Sequence, residues 1–228
     1  DTDDALPEAP PLPEHEMLSK ERELLGYYIS GHPLTDYEHT LKLYNLADLS
    51  SPKTYPPPNS ATRLGGLATN IDNRYTKKNK AMASFTLELL DNSVEVVVFP
   101  RAYERYREFL IDEQPLMVCG KVEDSNAFKL IAEEIYPLDQ AMAKFTRYVS
   151  LHVSTTHIND EMLAGIKGLV RKYKGKVPLR IWLIFPGGEH ICIRAGRKYG
   201  LEPSEQMIHD FQQIIGEDCV KLRVDNKP

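Results

Sequence analysis

The sequence predicts a mixed α and β chain in three parts: a short N-terminal helical arm, an OB-fold β-barrel, and a ferredoxin-like (split βαβ) α+β domain. Three observations predict it. Residues 62–135 run strand, strand, strand, helix, strand, strand, the order of a five-stranded Greek-key barrel with its helix between strands three and four. Residues 149–224 run β-α-β-β-α-β. Between arm and barrel, Ser50–Ser60 (SSPKTYPPPNS) is a stiff, polyproline-like connector. The expected boundaries are therefore 1–60, 61–140 and 141–228.

In the arm, Met17, Leu18, Leu24, Leu25 and Tyr28 give Glu14–Ser30 a helical spacing, stopped by Gly31 and Pro33. Leu34, Tyr37, Leu41 and Tyr44 predict a second helix. Two short helices bury little surface alone, so the arm needs something to pack on. In the barrel, Arg63–Ile71 is a glycine-containing strand. Met82–Leu89 alternates with Phe85, Leu87 and Leu89 on one face, and Ser93–Phe99 is β-branched. Pro100 opens a helix with Tyr103, Tyr106, Phe109 and Leu110 on one side. Leu116–Glu123 and Phe128–Ile135 complete the barrel. In the last domain, Val149, Leu151 and Val153 alternate, and Asn159 caps a helix carrying Met162, Ile166, Leu169, Val170 and Tyr173. Leu179–Phe185 turns at Pro186-Gly187-Gly188 and returns as Ile191–Ala195. Pro203 and Ser204 open the second helix, and Val220, Leu222 and Val224 form the last strand.

The 228 residues carry a net charge of −5, with 42% hydrophobic and 27% charged residues, ordinary globular values. No apolar run approaches the ~18 residues of a membrane span. Three scattered cysteines, Cys119, Cys192 and Cys219, argue against a disulfide framework or zinc cluster and point to the cytosol. The acidic, proline-rich opening DTDDALPEAPPLPEHE reads as a linker. An acidic total excludes a globally basic coat, so any nucleic-acid contact must come from a local patch.

One such patch is Asn70–Lys80 (NIDNRYTKKNK), the loop between barrel strands one and two. Arg74, Lys77, Lys78 and Lys80 against Asp72 give it +3. In OB-folds this loop borders the oligonucleotide face; the lysines suit phosphates and Tyr75 suits base stacking. The plain alternative is a solvated hairpin tip. Lys121 and Lys129, on the last two strands, either extend the basic track or are ordinary outward charges. Phe85 shares phase with Leu87 and belongs to the core. Arg171, Lys172, Lys174 and Lys176 end a helix, where the dipole already favours cations. On the second sheet, Tyr148, Arg180, Trp182 and Arg194 share the face away from the helices with Ser150, His152, Lys221 and Arg223. That face suits a partner, or cover by another part of the chain. The aromatic signature of RNA-recognition sheets is absent, the third strand reading Ile191-Cys192-Ile193-Arg194. No nucleotide-loop, serine-hydrolase or zinc-protease motif occurs, and Asp3 and Asp4 stand in the linker. No catalytic or metal-ligating residue is assigned.

The string Lys20-Glu21-Arg22-Glu23-Leu24-Leu25-Gly26-Tyr27-Tyr28-Ile29-Ser30-Gly31-His32-Pro33-Leu34 resembles the stretch after the fingers of the bacterial replicative DNA polymerase III alpha subunit. So do Met82–Leu110, Gly120-Lys121-Val122 and Lys129–Ile135, in the right order and spacing. The resemblance weakens after Ala141. It implies the C-terminal part of a DNA-directed DNA polymerase, a nucleotidyltransferase whose palm, fingers and phosphoesterase-like domain precede Asp1. Magnesium would belong to that catalytic part, and no cofactor to this one. The resemblance further implies that the barrel lies near single-stranded template DNA and that the final domain binds the clamp-loader tau subunit. The remaining holoenzyme would be the wider partner, in a bacterial cytoplasm at the nucleoid. The family's sliding-clamp motif lies just upstream, and residues 1–20 hold no Q-x-x-L-F peptide. Two departures are Ser84, where many members have phenylalanine, and Leu90-Asp91-Asn92 in place of an acidic-glycine turn. Outside the family, the alternatives are a stand-alone protein-interaction module and an anticodon-binding OB module of a tRNA synthetase. The latter needs stacking aromatics that this barrel largely lacks.

Overall fold

A computed structural model of the chain describes residues 31–47, 49, 54–123 and 128–225, together with positions 17, 20, 21 and 24. The acidic opening segment lies outside the described residues. So does the helix expected over Glu14–Ser30, apart from those four positions, which are helical. The arm's second helix is present as a 3₁₀ turn, Thr35–Tyr37, running into α1 (Glu38–Tyr44). Its periodic residues Leu34, Leu41 and Tyr44 are buried.

The barrel strands are β1 (Ala61–Tyr75), β2 (Ala81–Glu88), β3 (Ser93–Val98), β4 (Gln114–Val122) and β5 (Lys129–Pro137). They close in the order β1-β2-β3-β5-β4, with β1 antiparallel to both β2 and β4 and β3 parallel to β5. That is the OB topology. Between β3 and β4 stands α2 (Pro100–Tyr106), extended by a 3₁₀ turn, and Tyr103, Tyr106, Phe109 and Leu110 pack from it onto the barrel core. Leu64, Phe85, Leu87, Val96, Val98, Val118, Leu130 and Ile135 fill that core, as the strand alternation requires.

β1 is longer than the sequence suggests. It runs fifteen residues and bends where its register against β2 shifts between Thr69 and Asp72, with Asn70 at φ 54°. The extra residues of a bulge turn a strand without ending it, and asparagine tolerates the left-handed backbone. The expected loop over Asn70–Lys80 is therefore corrected. Asp72–Tyr75 pair with Ala81–Ser84, and only residues 76–80 form the turn.

Past β5, a 3₁₀ turn and α3 (Ala141–Phe145) lead into the second sheet. This part comprises β6 (Thr146–Ser154), α4 (Asp160–Lys172), β7 (Lys174–Val177), β8 (Leu179–Ile184), β9 (His190–Arg194), α5 (Glu205–Ile215) and β10 (Val220–Val224). Asn159 and Ser204 cap α4 and α5, accepting from the N–H groups of Met162 and Met207. The order β-α-β-β-α-β is the one read from the sequence, with short β7 added and bridged to Leu201. One detail of that reading is corrected. The sheet order is β10-β6-β8-β9, and β6 pairs directly and in parallel with β8. No strand lies between them, so the βαβ unit is not split as a ferredoxin-like sheet requires. Element order alone does not set strand order, because the hairpin partner β9 can join either side of β8.

A third core joins the parts. Leu34, Leu41 and Tyr44 of the arm meet Leu67, Met117 and Cys119 on the outer barrel surface, with Leu138, Met142 and Phe145 beyond. Ile208, Leu222 and Val224 of the last domain pack against it. The arm comes so close that a Cβ on Gly65 would run into the Leu41 side chain. No helix among the described residues is long and apolar enough to cross a membrane.

Candidate nucleic-acid interface

The β1–β2 hairpin carries most of the predicted cations. Thr76 closes its turn, donating its N–H to the Lys80 carbonyl at 2.9 Å and accepting the Lys80 N–H on its hydroxyl at 3.1 Å. Asn79, at φ 56°, supplies the left-handed residue. The stem is braced at its base, where the Tyr103 hydroxyl of α2 donates to the Asn73 side-chain oxygen at 3.1 Å. Lys77, Lys78 and Lys80 are exposed at the tip. No carboxylate pairs with them among the described residues. Tyr75 is 72% exposed, an aromatic ring held out on a strand end. Arg74 differs from the lysines: its Nε donates to Asp72 Oδ2 at 2.6 Å, so its charge is already met.

Lys121 and Lys129 are not brought to this hairpin. Lys121 lies opposite Ala61, at the far end of β1 from the tip, and pairs with Glu133 at 2.9 Å. Lys129 pairs with Glu95 at 2.8 Å across the parallel β3–β5 ladder. Phe85, 2% exposed, is in the core as expected. A shallow hollow of about 480 Å³ lies between α2 and the β4–β5 bulge, lined by Arg101, Arg105, Glu133 and Glu134. Its mixed charge gives no focus for an anion.

The second sheet keeps α4 and α5 on one side only, with Met207 and Phe211 of α5 in one core with Val149, Leu151 and Leu179 of the strands. On the open side, Lys221, Ser150, Arg180 and Arg194 form one cross-strand row. His152, Trp182 and Cys192 form the next. The Arg180 guanidinium lies 3.6 Å from the Tyr148 ring centroid, and Trp182 stacks on His152 at 6.2 Å. Burial and the neighbouring Lys221 and His190 pull His152 below its ordinary pKa. Tyr148, Arg180, Trp182 and Arg194 are thus together on one uncovered face. Among the described residues, no three His, Cys, Asp or Glu side chains are placed to hold a metal ion.

Arg63 went unread in the sequence. It is fully buried where the three parts meet. Its Nε donates to the Tyr44 carbonyl at 2.7 Å and its Nη2 to the Asp225 carbonyl at 3.2 Å, while the guanidinium faces Phe145. In a strand it alternates with Leu64 and so looks outward; the arm that covers it leaves no local signal.

These features define the class: an OB barrel with a cationic hairpin, joined through a shared core to a one-sided α+β sheet. No family model matches the chain. The curated relatives it matches are alpha subunits of DNA polymerase III. One from Escherichia coli O6:H1 is 26% identical over 220 residues, 94% of this chain and 19% of its own length. One from Thermus aquaticus is 30% identical over 186 residues, 81% of this chain and 15% of its own. One from Saccharopolyspora erythraea is 30% identical over 215 residues, 91% and 18% respectively. The chain is a relative of DNA polymerase III subunit alpha, and it spans about a fifth of the length of those relatives. Among solved structures, the Thermus aquaticus single-stranded DNA binding protein covers 35% of this chain and 40% of its own, at 23% identity and a TM-score of 0.31. The yeast mitochondrial single-stranded DNA binding protein Rim1 covers 35% and 94% at 12% identity and 0.30. At those scores the strand order above remains the ground for the fold.

Proposed function

We propose that this chain is a non-catalytic part of a replicative DNA polymerase whose barrel contacts single-stranded template DNA. The observation that carries it is the β1–β2 hairpin, with Lys77, Lys78 and Lys80 exposed and unpaired with any described carboxylate beside the outward Tyr75. Cations at such a tip neutralise phosphates without reading bases, and a ring at its stem stacks on any base. Similarity to polymerase alpha subunits supports a replication role. Lys121 and Lys129 make at most minor contributions, since Glu133 and Glu95 already hold them. Fluorescence anisotropy of labelled oligo(dT) against salt tests the reading. The full chain binds with a salt-dependent affinity, and a chain without such affinity refutes it.

We further propose that the last domain docks the tau subunit of the clamp loader, within the remaining holoenzyme. The uncovered sheet face supports a partner there, since Tyr148, Trp182 and two arginines are the residue types that dominate interface energetics. Titration of the full chain with tau, with and without Trp182→Ala, tests the docking and the face separately. The fragment itself holds no polymerase active site in this reading, and magnesium belongs to the catalytic part of the parent enzyme.

A further inference from the structure

β9 ends the sheet on one side, and all five of its residues are exposed. Natural edges are normally blunted by proline, bulges or cover. Here β8 and β9 keep one unbroken register over five pairs, and no proline occurs in residues 190–194. The ladder's alternation sets which backbone groups face outward. Ala195 N–H donates to the Leu179 carbonyl and Phe185 N–H to the Glu189 carbonyl. By the antiparallel pattern, Ile191 and Ile193 then bond to β8, and His190, Cys192 and Arg194 turn their N–H and C=O groups to the open edge.

The two sides of this edge differ in chemistry. Toward the helices, Ile191 and Ile193 stay 52% and 45% exposed beside Leu183 and Ile181, because α4 and α5 stop short of β9. On the other side stand His190 and Arg194, the latter paired across the ladder with Arg180, whose guanidinium lies on the Tyr148 ring. None of the strand positions on that open face is a carboxylate.

We propose that β9 takes up an extended peptide from another protein as a fifth strand, one in which apolar residues alternate with acidic ones. Its backbone would meet the open N–H and C=O groups, its apolar residues Ile191 and Ile193, and its carboxylates Arg194. This rests on the reading that the last domain docks a partner, and gives the docking segment its chemistry. A second copy fits less well: β9 paired antiparallel with itself about Cys192 sets Arg194 against His190 and brings no carboxylate. A nucleic acid would use the cations and leave both isoleucines in water.

Calorimetric titration of the full chain with acetyl-Gly-(Val-Glu)₄-Gly-amide tests this, with the (Val-Lys)₄ analogue alongside. The acidic peptide binds the chain and the Cys192→Ala variant alike. Cys192→Pro, which removes only the outward N–H, weakens it at least tenfold. Ile193→Lys does the same, and Arg194→Glu turns the preference toward the lysine peptide. Circular dichroism checks each fold, and if the proline variant does not fold the other two substitutions decide. No binding of the acidic peptide, or equal binding by Cys192→Pro and Cys192→Ala, overturns the proposal. So does a concentration-dependent dimer abolished by Cys192→Pro, or oligo(dT) binding lost in Arg194→Glu while the peptide fails to bind. Titration with tau keeps the two readings apart. Tau bound equally by the chain and Cys192→Pro overturns the edge and leaves the docking; tau bound by neither overturns the docking, and the peptide still judges the edge.

Discussion

The guanidinium of Arg63 lies 4.1 Å from the centroid of the Phe145 ring, so a barrel strand is clasped to the helix that opens the second sheet. The same side chain donates to the Tyr44 carbonyl of the arm and the Asp225 carbonyl at the end of β10. Burial pulls the guanidinium below its ordinary pKa, and the carbonyl acceptors and aromatic faces are what make its interior position tolerable. Arg63→Ala leaves those carbonyls without their donor and opens a cavity, a loss of roughly 3–5 kcal/mol. Arg63→Met retains the volume and loses less. Urea unfolding of the two variants measures the difference, and equal losses would remove packing volume from the explanation.

Salt dependence of oligo(dT) binding tests the proposed DNA-contacting hairpin. Replacing Lys77, Lys78 and Lys80 together by alanine lowers the log–log slope by about 2, at ~0.7 for each phosphate no longer neutralised. Lys121→Ala and Lys129→Ala leave the slope unchanged, because their carboxylate partners already neutralise them. A triple variant with the parent slope moves the interface elsewhere.

Two glycines are expected to respond in opposite directions to alanine. At Gly120, beside the β4–β5 bulge, a Cβ would collide with the Ile131 carbonyl oxygen, and the strand must shift. Gly120→Ala loses about 3 kcal/mol. Gly168 in α4 has open space around it, and alanine there gains about 1 kcal/mol of helix propensity. Thermal unfolding ranks the pair, and a stabilised Gly120→Ala would contradict the close approach.

Stability falls off at both ends of the pH scale for identifiable reasons. Lys172, Tyr173 and Gln206 hold the Asp210 carboxyl well below the usual carboxylate range, all three within 2.7 Å. A depressed acid contributes stability above its ordinary value of 3.8 and loses it as pH falls below that. Asp210→Asn therefore flattens the acid limb of melting temperature against pH. Burial pushes Tyr44 up to about 12 from 10.0, so the unfolded chain ionises first and stability declines between those values. Tyr44→Phe removes that residue's share of the alkaline decline, at the cost of the buried bond between its hydroxyl and Thr146, while the buried Cys119 and Cys219 thiols keep theirs. Parallel limbs in variant and parent would contradict either assignment.

Much of the architecture is legible because alternation and helical spacing report local burial. Phe85, Leu87, Tyr103 and Leu151 all face where their phase puts them. What one chain's pattern does not carry is the identity of cross-strand neighbours. Lys121 and Lys129 read either as an extension of the basic track or as ordinary outward charges, and only the barrel's register brings Glu133 and Glu95 beside them. The length of β1 was hidden by polar residues from Asn70 onward, which resemble a loop until the bulge is known. The parallel pairing of β6 with β8 was hidden for another reason, since element order does not say on which side of β8 its hairpin partner β9 lies. Tyr148, Arg180, Trp182 and Arg194 did share a face, since period-two phase within β6, β8 and β9 is enough to collect them.

β1 starts beside Arg63 and ends at the cationic hairpin, while β10 ends at the Asp225 carbonyl that Arg63 holds. Mechanically, the chain is then a lever with a fixed joint rather than two bodies on a string. A tug on the outer edge of the second sheet passes through hydrogen-bonded strands to β10, crosses at Arg63, and travels down β1 to Lys77 and Lys78. Strands resist stretching far better than loops do, and the route bends at Asn70, where the register of β1 against β2 shifts. Tension between a tethered partner and a held DNA strand would accordingly be felt as a change in hairpin angle.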